Sequence, residues 1–200
     1  RQPDRIPVVT CPDPQIINED SLLSFQVCAT DADGDTVTLM AEGLPPGATF
    51  PTVSDSASVC GTFTWDTDYC DAGVYTVTFI AYDNYALSLA DTCEVVITVT
   101  DVNQPPSFAC PDCTSIAEAA FVTFDVTASD PDDCDGDLIT LTAVDLPEGA
   151  TFTNGTDNPV TGTFTWQTDY CDAGVYTIAF IATDDHVPPL ADTCEVVITV

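Results

Sequence analysis

The sequence predicts an all-β chain of two tandem β-sandwich domains, residues 1–99 and residues 100–200, and three observations carry that expectation. Residues 65–82, WDTDYCDAGVYTVTFIAY, return at 166–183 as WQTDYCDAGVYTIAFIAT, and DTCEVVITV at 91–99 returns unchanged at 192–200. Within each copy, short runs alternate apolar and polar residues at the period of a half-buried strand. No segment carries an apolar stripe at helical spacing.

The repeat fixes the domain organisation. Both long matches are displaced by 101 residues (166 minus 65, 192 minus 91), CPD at 11–13 returns at 110–112, and LPPGATF at 44–50 returns as LPEGATF at 146–152. Duplication of this extent implies two homologous domains, and 200 residues with 45% hydrophobic content supply a core for each. Counting back from Cys110 makes Thr100 the equivalent of Arg1, while Val200 is the equivalent of Val99. Neither end carries the atypical repeat that caps an array, so the chain is expected to be a window on a longer array or fibre.

The strands follow from alternation. Leu23, Phe25, Val27 and Ala29 alternate with Ser24, Gln26 and Cys28, as Val122, Phe124, Val126 and Ala128 do with Thr123, Asp125 and Thr127. Gly61 to Trp65, Tyr75 to Ala81 and Cys93 to Val99 read the same way, with Gly, Pro and Asp clusters between. About seven short strands in each ~100 residues describe an immunoglobulin-like sandwich. Asp-Ala-Gly-Val-Tyr at 71–75 and 172–176 sets a tyrosine at the start of the sixth strand, the place of a tyrosine corner. Trp65 and Trp166 lie on the inward parity, as core residues rather than sugar-stacking platforms.

Charge and cysteine content narrow the function. Against 33 Asp and Glu stand only Arg1 and Arg5, with no lysine, for a net charge of -31. Such a chain repels nucleic acid and anionic lipid, and it resists compaction unless cations neutralise part of it. Divalent metal is the natural partner; a plainly solvated acidic surface is the alternative. Ten cysteines beside a single histidine point to disulfides and therefore to an extracellular or cell-surface protein. No apolar run approaches the roughly 18 residues of a membrane span, and no signal-peptide pattern opens the chain. One histidine, no lysine, no Gly-x-Ser-x-Gly and no phosphate-binding glycine loop argue against an enzyme.

The acids gather at strand ends. Asp31, Asp33 and Asp35 follow the second strand, Asp66 and Asp68 the fifth, Asp83 closes the sixth, and Asp101-Val-Asn103-Gln104-Pro105-Pro106 links the repeats. Calcium takes six to eight oxygen ligands and suits loops where carboxylates and carbonyls converge. An EF-hand over 31–42 is excluded: Gly34 falls two residues too early for its turn, and TVTLMA at 36–41 reads as a strand.

This pattern resembles cadherins and the bacterial cadherin-like, immunoglobulin-like repeats of surface proteins. The residues that match that family's motifs are Glu19 after the first strand, Asp66 with Asp68, Asp130 with Asp132, Asp184, and Asp101 with Asn103 in the linker. The resemblance spans nearly the whole of both repeats and implies Ca2+ held between consecutive repeats, stiffening the array. Gln104 and Pro105 stand where such linkers carry a further Asp-Asn pair, and Gln167 replaces the equivalent of Asp66. These departures imply fewer or weaker sites. Pro105-Pro106 stiffens the linker with or without metal.

Cysteine pairing follows from strand neighbours. Cys28 and Cys60 share the outward parity on adjacent strands, which suits a cross-strand bond. First and last strands of such sandwiches run side by side, placing Cys11 beside Cys93 and Cys110 beside Cys194. Cys113 and Cys134, private to the second repeat, pair by elimination. Cys70 and Cys171 are then left over for a neighbouring repeat or chain, Cys134 being one candidate. Cys110-Pro-Asp-Cys113 is discounted as a redox or zinc motif because Pro14 replaces the second cysteine in repeat one.

Function is thus expected to be structural: a module of a long extracellular calcium-binding surface protein or fibre, with adjacent repeats as its partners. The alternatives are an adhesin repeat gripping a glycan or protein receptor and an accessory module of a secreted hydrolase. Asn154-Gly155-Thr156 is both a glycosylation sequon and an ordinary turn.

Overall fold

The computed structural model describes residues 5–84, 89–132, 136 and 138–200. It contains strands and no helix among the described residues, and it divides into two compact units, residues 1–102 and 103–200. The division falls at Asn103 rather than Thr100. The last strand of the first unit runs through Thr100, and Glu19 of that unit accepts a hydrogen bond from the Val102 N–H at 2.9 Å.

In the first unit, β3 (Leu22–Thr30) lies between β1 (Val8–Thr10) and β6 (Ser58–Asp66). The facing sheet orders β2 (Gln15–Asn18), β8 (Ala90–Thr100), β7 (Gly73–Asp83), β4 (Thr36–Glu42) and β5 (Val53–Ser56). The first strand of the sandwich is split between the sheets: β1 pairs antiparallel with β3, and β2 pairs parallel with β8. Pro12 and Pro14 lie between the halves, and a residue without an N–H cannot continue a ladder, so the chain changes sheets there.

The second unit repeats this plan. One sheet holds β13 (Thr151–Thr153), β15 (Val160–Gln167), β11 (Phe121–Ser129) and β9 (Ser107–Ala109). The other holds β10 (Thr114–Ser115), β17 (Ala191–Thr199), β16 (Val175–Thr183), β12 (Ile139–Val144) and β14 (Thr156–Asp157). The strand count exceeds seven per domain because the first strand is halved and because the second unit adds the short edge segment β13.

Each core is built from the inward parity. Phe25 stacks on Phe63 at 4.7 Å and meets Phe79 edge-on at 6.1 Å; Phe124, Phe164 and Phe180 repeat this at 4.8 and 6.0 Å. Gly61 and Gly162 sit mid-strand because a ring needs their space: an added Cβ would lie 2.4 Å from Phe50 and 2.2 Å from Phe152. Trp65 and Trp166 are buried, each edge-on to a tyrosine at 4.8 Å. Those tyrosines form the corner: the Tyr75 hydroxyl donates to the Asp71 carbonyl at 2.9 Å, and Tyr176 to Asp172 at 3.0 Å. Burial first, then the charges of Asp71 and Asp68, push the Tyr75 hydroxyl above its ordinary value and keep its proton in place.

Disulfides join Cys28 to Cys60, Cys11 to Cys93 and Cys110 to Cys194. Cys28 and Cys60 are directly opposed in the β3–β6 ladder. The parallel register that sets Gln15 against Ile97 brings Cys11 level with Cys93, four residues back on each strand. Bonds of this kind mark maturation in an oxidising compartment, as in secreted proteins.

One expected pairing fails. Cys113 is an exposed free thiol, so the bond assigned to it with Cys134 by elimination does not form. Cys113 immediately precedes β10, which pairs with the final residues of β17. Cys134 itself lies outside the described residues. Cys70 is disulfide-bonded and Cys171 is an exposed free thiol.

Candidate metal centre

The residues matched to calcium ligands fall into two sets, one on each unit. In the first unit, Glu19 leaves β2 and is buried at 4% exposure, its N–H donating to the Thr100 carbonyl at 3.0 Å. Asp101 follows β8 and is exposed. Asp66 ends β6 on the outward parity, opposite to Trp65, and Asp68 is exposed in the next turn, where it accepts the Cys70 N–H at 2.9 Å.

In the second unit, Asn103, Asp130, Asp132 and Asp184 are gathered at one end of the sandwich. Asp130 closes β11 and Asp184 follows β16; both are buried, as is Asp132. Asn103 Nδ2 donates to Asp184 Oδ2 at 3.2 Å, and the Gln104 N–H donates to Asp132 Oδ2 at 2.6 Å. Asp184 also accepts the backbone N–H groups of Leu190 and His186 at 3.1 and 3.2 Å. Asp130 Oδ1 accepts the Asp132 N–H at 3.3 Å, while Asp130 Oδ2 is buried with no hydrogen-bond donor among the described residues.

Electrostatics follow from this crowding. Burial is the largest cause pushing the Asp130 carboxyl up to about 7; the side-chain hydrogen bond to Asp132 and the charges of Asp132 and Asp184 add to it, against one backbone hydrogen bond that lowers it. Because this folded-state value lies above the ~3.9 of an unfolded aspartate, the folded protein holds a proton that the unfolded chain releases between those two values. The contribution of Asp130 to stability is therefore full below pH ~4 and declines as pH rises towards 7. In chelator, the urea midpoint is expected to fall from pH 5 to pH 8 by more in the wild type than in Asp130→Asn, and equal falls would refute it.

The first unit carries a matching set that the linker motif did not point to. Asp31 and Asp83 are buried at 6% and 2%. Asp31 Oδ1 accepts three backbone N–H groups, from Asp33, Gly34 and Asp35 at 2.7, 2.9 and 3.2 Å, and its Oδ2 lacks a donor among the described residues. Asp33 Oδ2 accepts the Arg5 N–H at 2.8 Å, as Asp132 does that of Gln104. The sequence signal was present in Asp31-Ala-Asp33 and Asp83, but the burial of Asp31 and Asp83 was not.

Among the described residues no three His, Cys, Asp or Glu side chains converge as a ready-made metal cage. The donor chemistry nonetheless fits a hard cation: buried carboxylate oxygens without donors, a neighbouring amide, and neither Lys nor Arg anywhere after Arg5.

Comparison with known families decides the identity of the fold. The Putative Ig domain model matches residues 6–104 and again residues 105–200. The chain belongs to the Putative Ig domain family. Its two Ig domains are β-sandwiches in tandem. No curated protein matches the chain. Similar solved structures include protocadherin Gamma B2 extracellular cadherin domains 1–5, with 19% identity and a TM-score of 0.49, over 98% of this chain and 40% of that one. Mouse cadherin-23 EC22–24 is 24% identical with a TM-score of 0.47, over 98% and 67%. The endo-fucoidan hydrolase MfFcnA4 of glycoside hydrolase family 107 is 20% identical with a TM-score of 0.40, over 97% of this chain and 28% of the hydrolase. The two Ig domains thus span well under half of that hydrolase.

Proposed function

We propose that the two Ig domains are a structural stretch of an extracellular or cell-surface repeat array, in which Ca2+ neutralises the acidic strand ends and stiffens the succession of domains. The observation that carries this reading is the Asp130 carboxylate, buried with an orphaned oxygen beside Asp132 and Asp184. Leaving such a group charged and unmatched is costly, and the second domain supplies no Lys or Arg to match it. Asn103, Asp130, Asp132 and Asp184 are the donors the second domain would give a cation; Glu19, Asp66, Asp68 and Asp101 are those of the first. Asp31, Asp33 and Asp83 form the equivalent set at the start of the pair. The partners in this reading are adjacent repeats of the same protein or fibre, and no reaction is assigned.

A thermal melt of the two-domain protein with Ca2+ and with chelator tests the proposal. Calcium at a hundredfold excess over its dissociation constant is expected to add about 2.7 kcal/mol per site. Asp130→Asn is expected to raise the melting temperature in chelator and to erase most of the calcium response of the second domain. Superimposable melts with and without calcium would remove the metal from this account and leave the fold as described.

A further inference from the structure

We propose that Cys28–Cys60 is a thiol-exchange site on the surface of the first domain, which takes up a low-molecular-weight thiol at Cys60 and opens while the domain stays folded. The inference goes beyond the array reading and requires neither calcium nor a neighbouring repeat. The disulfides whose two halves are both described are placed differently. Cys11 and Cys93 pack against the first core, and Cys194, which holds Cys110, is part of the second at 1% exposure. Cys28 and Cys60 lie on the outward parity of β3 and β6 and belong to neither core; Cys28 is half-buried and Cys60 exposed. Exposed disulfides are the ones that exchange readily, whereas structural ones resist reduction by small thiols.

The second domain shows that the sandwich does not need this bond. Cys28 stands directly opposite Cys60, one step on from Val27 against Gly61. One step on from Val126 against Gly162, the second domain sets Thr127 opposite Thr161, and their hydroxyls share a hydrogen bond at 3.0 Å. Two threonines therefore close the same ladder on the same face. The loop closed by Cys28–Cys60 also lies wholly within the one closed by Cys11–Cys93, so its opening leaves the first and last strands tied.

Access selects the sulfur that is attacked. A thiolate displaces one sulfur from another in line with the S–S bond, and here that bond runs from β3 to β6. β1 lies beyond β3, with Thr10 opposite Cys28, whereas β6 is the edge of its sheet and no strand pairs with it opposite Cys60 among the described residues. The incoming thiolate therefore reaches Cys60 Sγ over the open edge. It meets little repulsion there: in a chain with 33 Asp and Glu, the outward positions of β1, β3 and β6 hold only Asp66, at the other end of the ladder. A bond forms between Cys60 Sγ and the small thiol, the Cys28–Cys60 bond breaks, and Cys28 leaves as a thiolate that takes a proton. Cys28 then closes back on Cys60 and expels the small thiol, or a second small thiolate removes the first as a small disulfide and leaves both cysteines reduced. In that second course two small thiols are oxidised and one protein disulfide is reduced.

The test uses the full chain in chelator, with the free thiols of Cys113 and Cys171 first blocked by N-ethylmaleimide, in glutathione buffers of graded poise. Acid quenching, alkylation and peptide mapping then read each bond. Cys28 and Cys60 are expected to open at a poise at least about tenfold less reducing than the one that opens Cys11–Cys93 or Cys110–Cys194. Trp65 fluorescence is expected to stay that of the folded domain, and the glutathione adduct to sit on Cys60 rather than Cys28. Opening of either other bond first or at the same poise, an adduct on Cys28 instead, or release of Cys28 and Cys60 only as Trp65 unfolds would overturn the proposal. Cys28→Thr with Cys60→Thr copies the pair of the second domain and is expected to leave the first domain folded. An unfolded first domain in that variant would make the bond a structural staple and is equally fatal. Because every reading is made in chelator, failure of the calcium melt and failure of this exchange are separate results.

Discussion

Trp166→Ala is expected to cost the second Ig domain about 3–5 kcal/mol, enough to unfold a domain of ordinary stability. The indole is 1% exposed, packs edge-on to Tyr176 at 4.8 Å, and donates its Nε1–H to the Glu148 carbonyl at 3.1 Å. Truncation therefore opens a large cavity, removes the ring pair and leaves a carbonyl without its donor. Each domain holds one tryptophan, Trp65 or Trp166, so the variant is its own control. Trp65 fluorescence then reports the first domain alone, while calorimetry reads the heat of both. The expected outcome is an unshifted Trp65 transition and a lost or strongly lowered second one. A second-domain transition within a few degrees of wild type would show that the core does not depend on this ring.

The second large effect concerns Cys110–Cys194. Its sequence separation of 84 residues closes a long loop in the unfolded chain, and the chain-entropy relation assigns such a loop roughly 4–5 kcal/mol. Cys110→Ala with Cys194→Ala is expected to lower stability by that order, read as the urea midpoint of the second domain. Replacing both partners avoids leaving an unpaired thiol at either position. A loss below about 1 kcal/mol would mean that the unfolded chain is already restrained by other means.

The alternation of β3, β6, β7 and β8 was legible because these strands are long and half-buried, so period two persists over enough residues to be unambiguous. The tyrosine corner was legible because its motif occurs twice. Gly61 and Gly162 were not: a glycine mid-strand leaves a blank in the pattern, and only the ring of Phe50 or Phe152 lying against it gives the reason. Edge strand β5 was missed because Val53-Ser-Asp-Ser56 has a single apolar residue and is set by its ladder with β4. The same limit governed the acidic sets. Periodicity says which face a strand residue takes but not whether an aspartate just beyond the strand turns inward, as Asp31, Asp83, Asp130 and Asp184 do. Asp66 shows the converse, since it still obeys the β6 alternation and faces out. Elimination mispaired Cys113 because counting thiols carries no geometric information.

The bond between the first and last strands has a mechanical consequence. A pull applied at the two ends of the first domain enters at β1 and leaves through β8, and Cys11–Cys93 shortcuts that load path. The stretch from Pro12 to Thr92 then bears no tension and cannot be drawn out as slack while the bond is intact; Cys110–Cys194 shields Pro111 to Thr193 in the same way. Under traction the two modules behave as links of nearly fixed length, and only a reducing agent turns them into extensible thread.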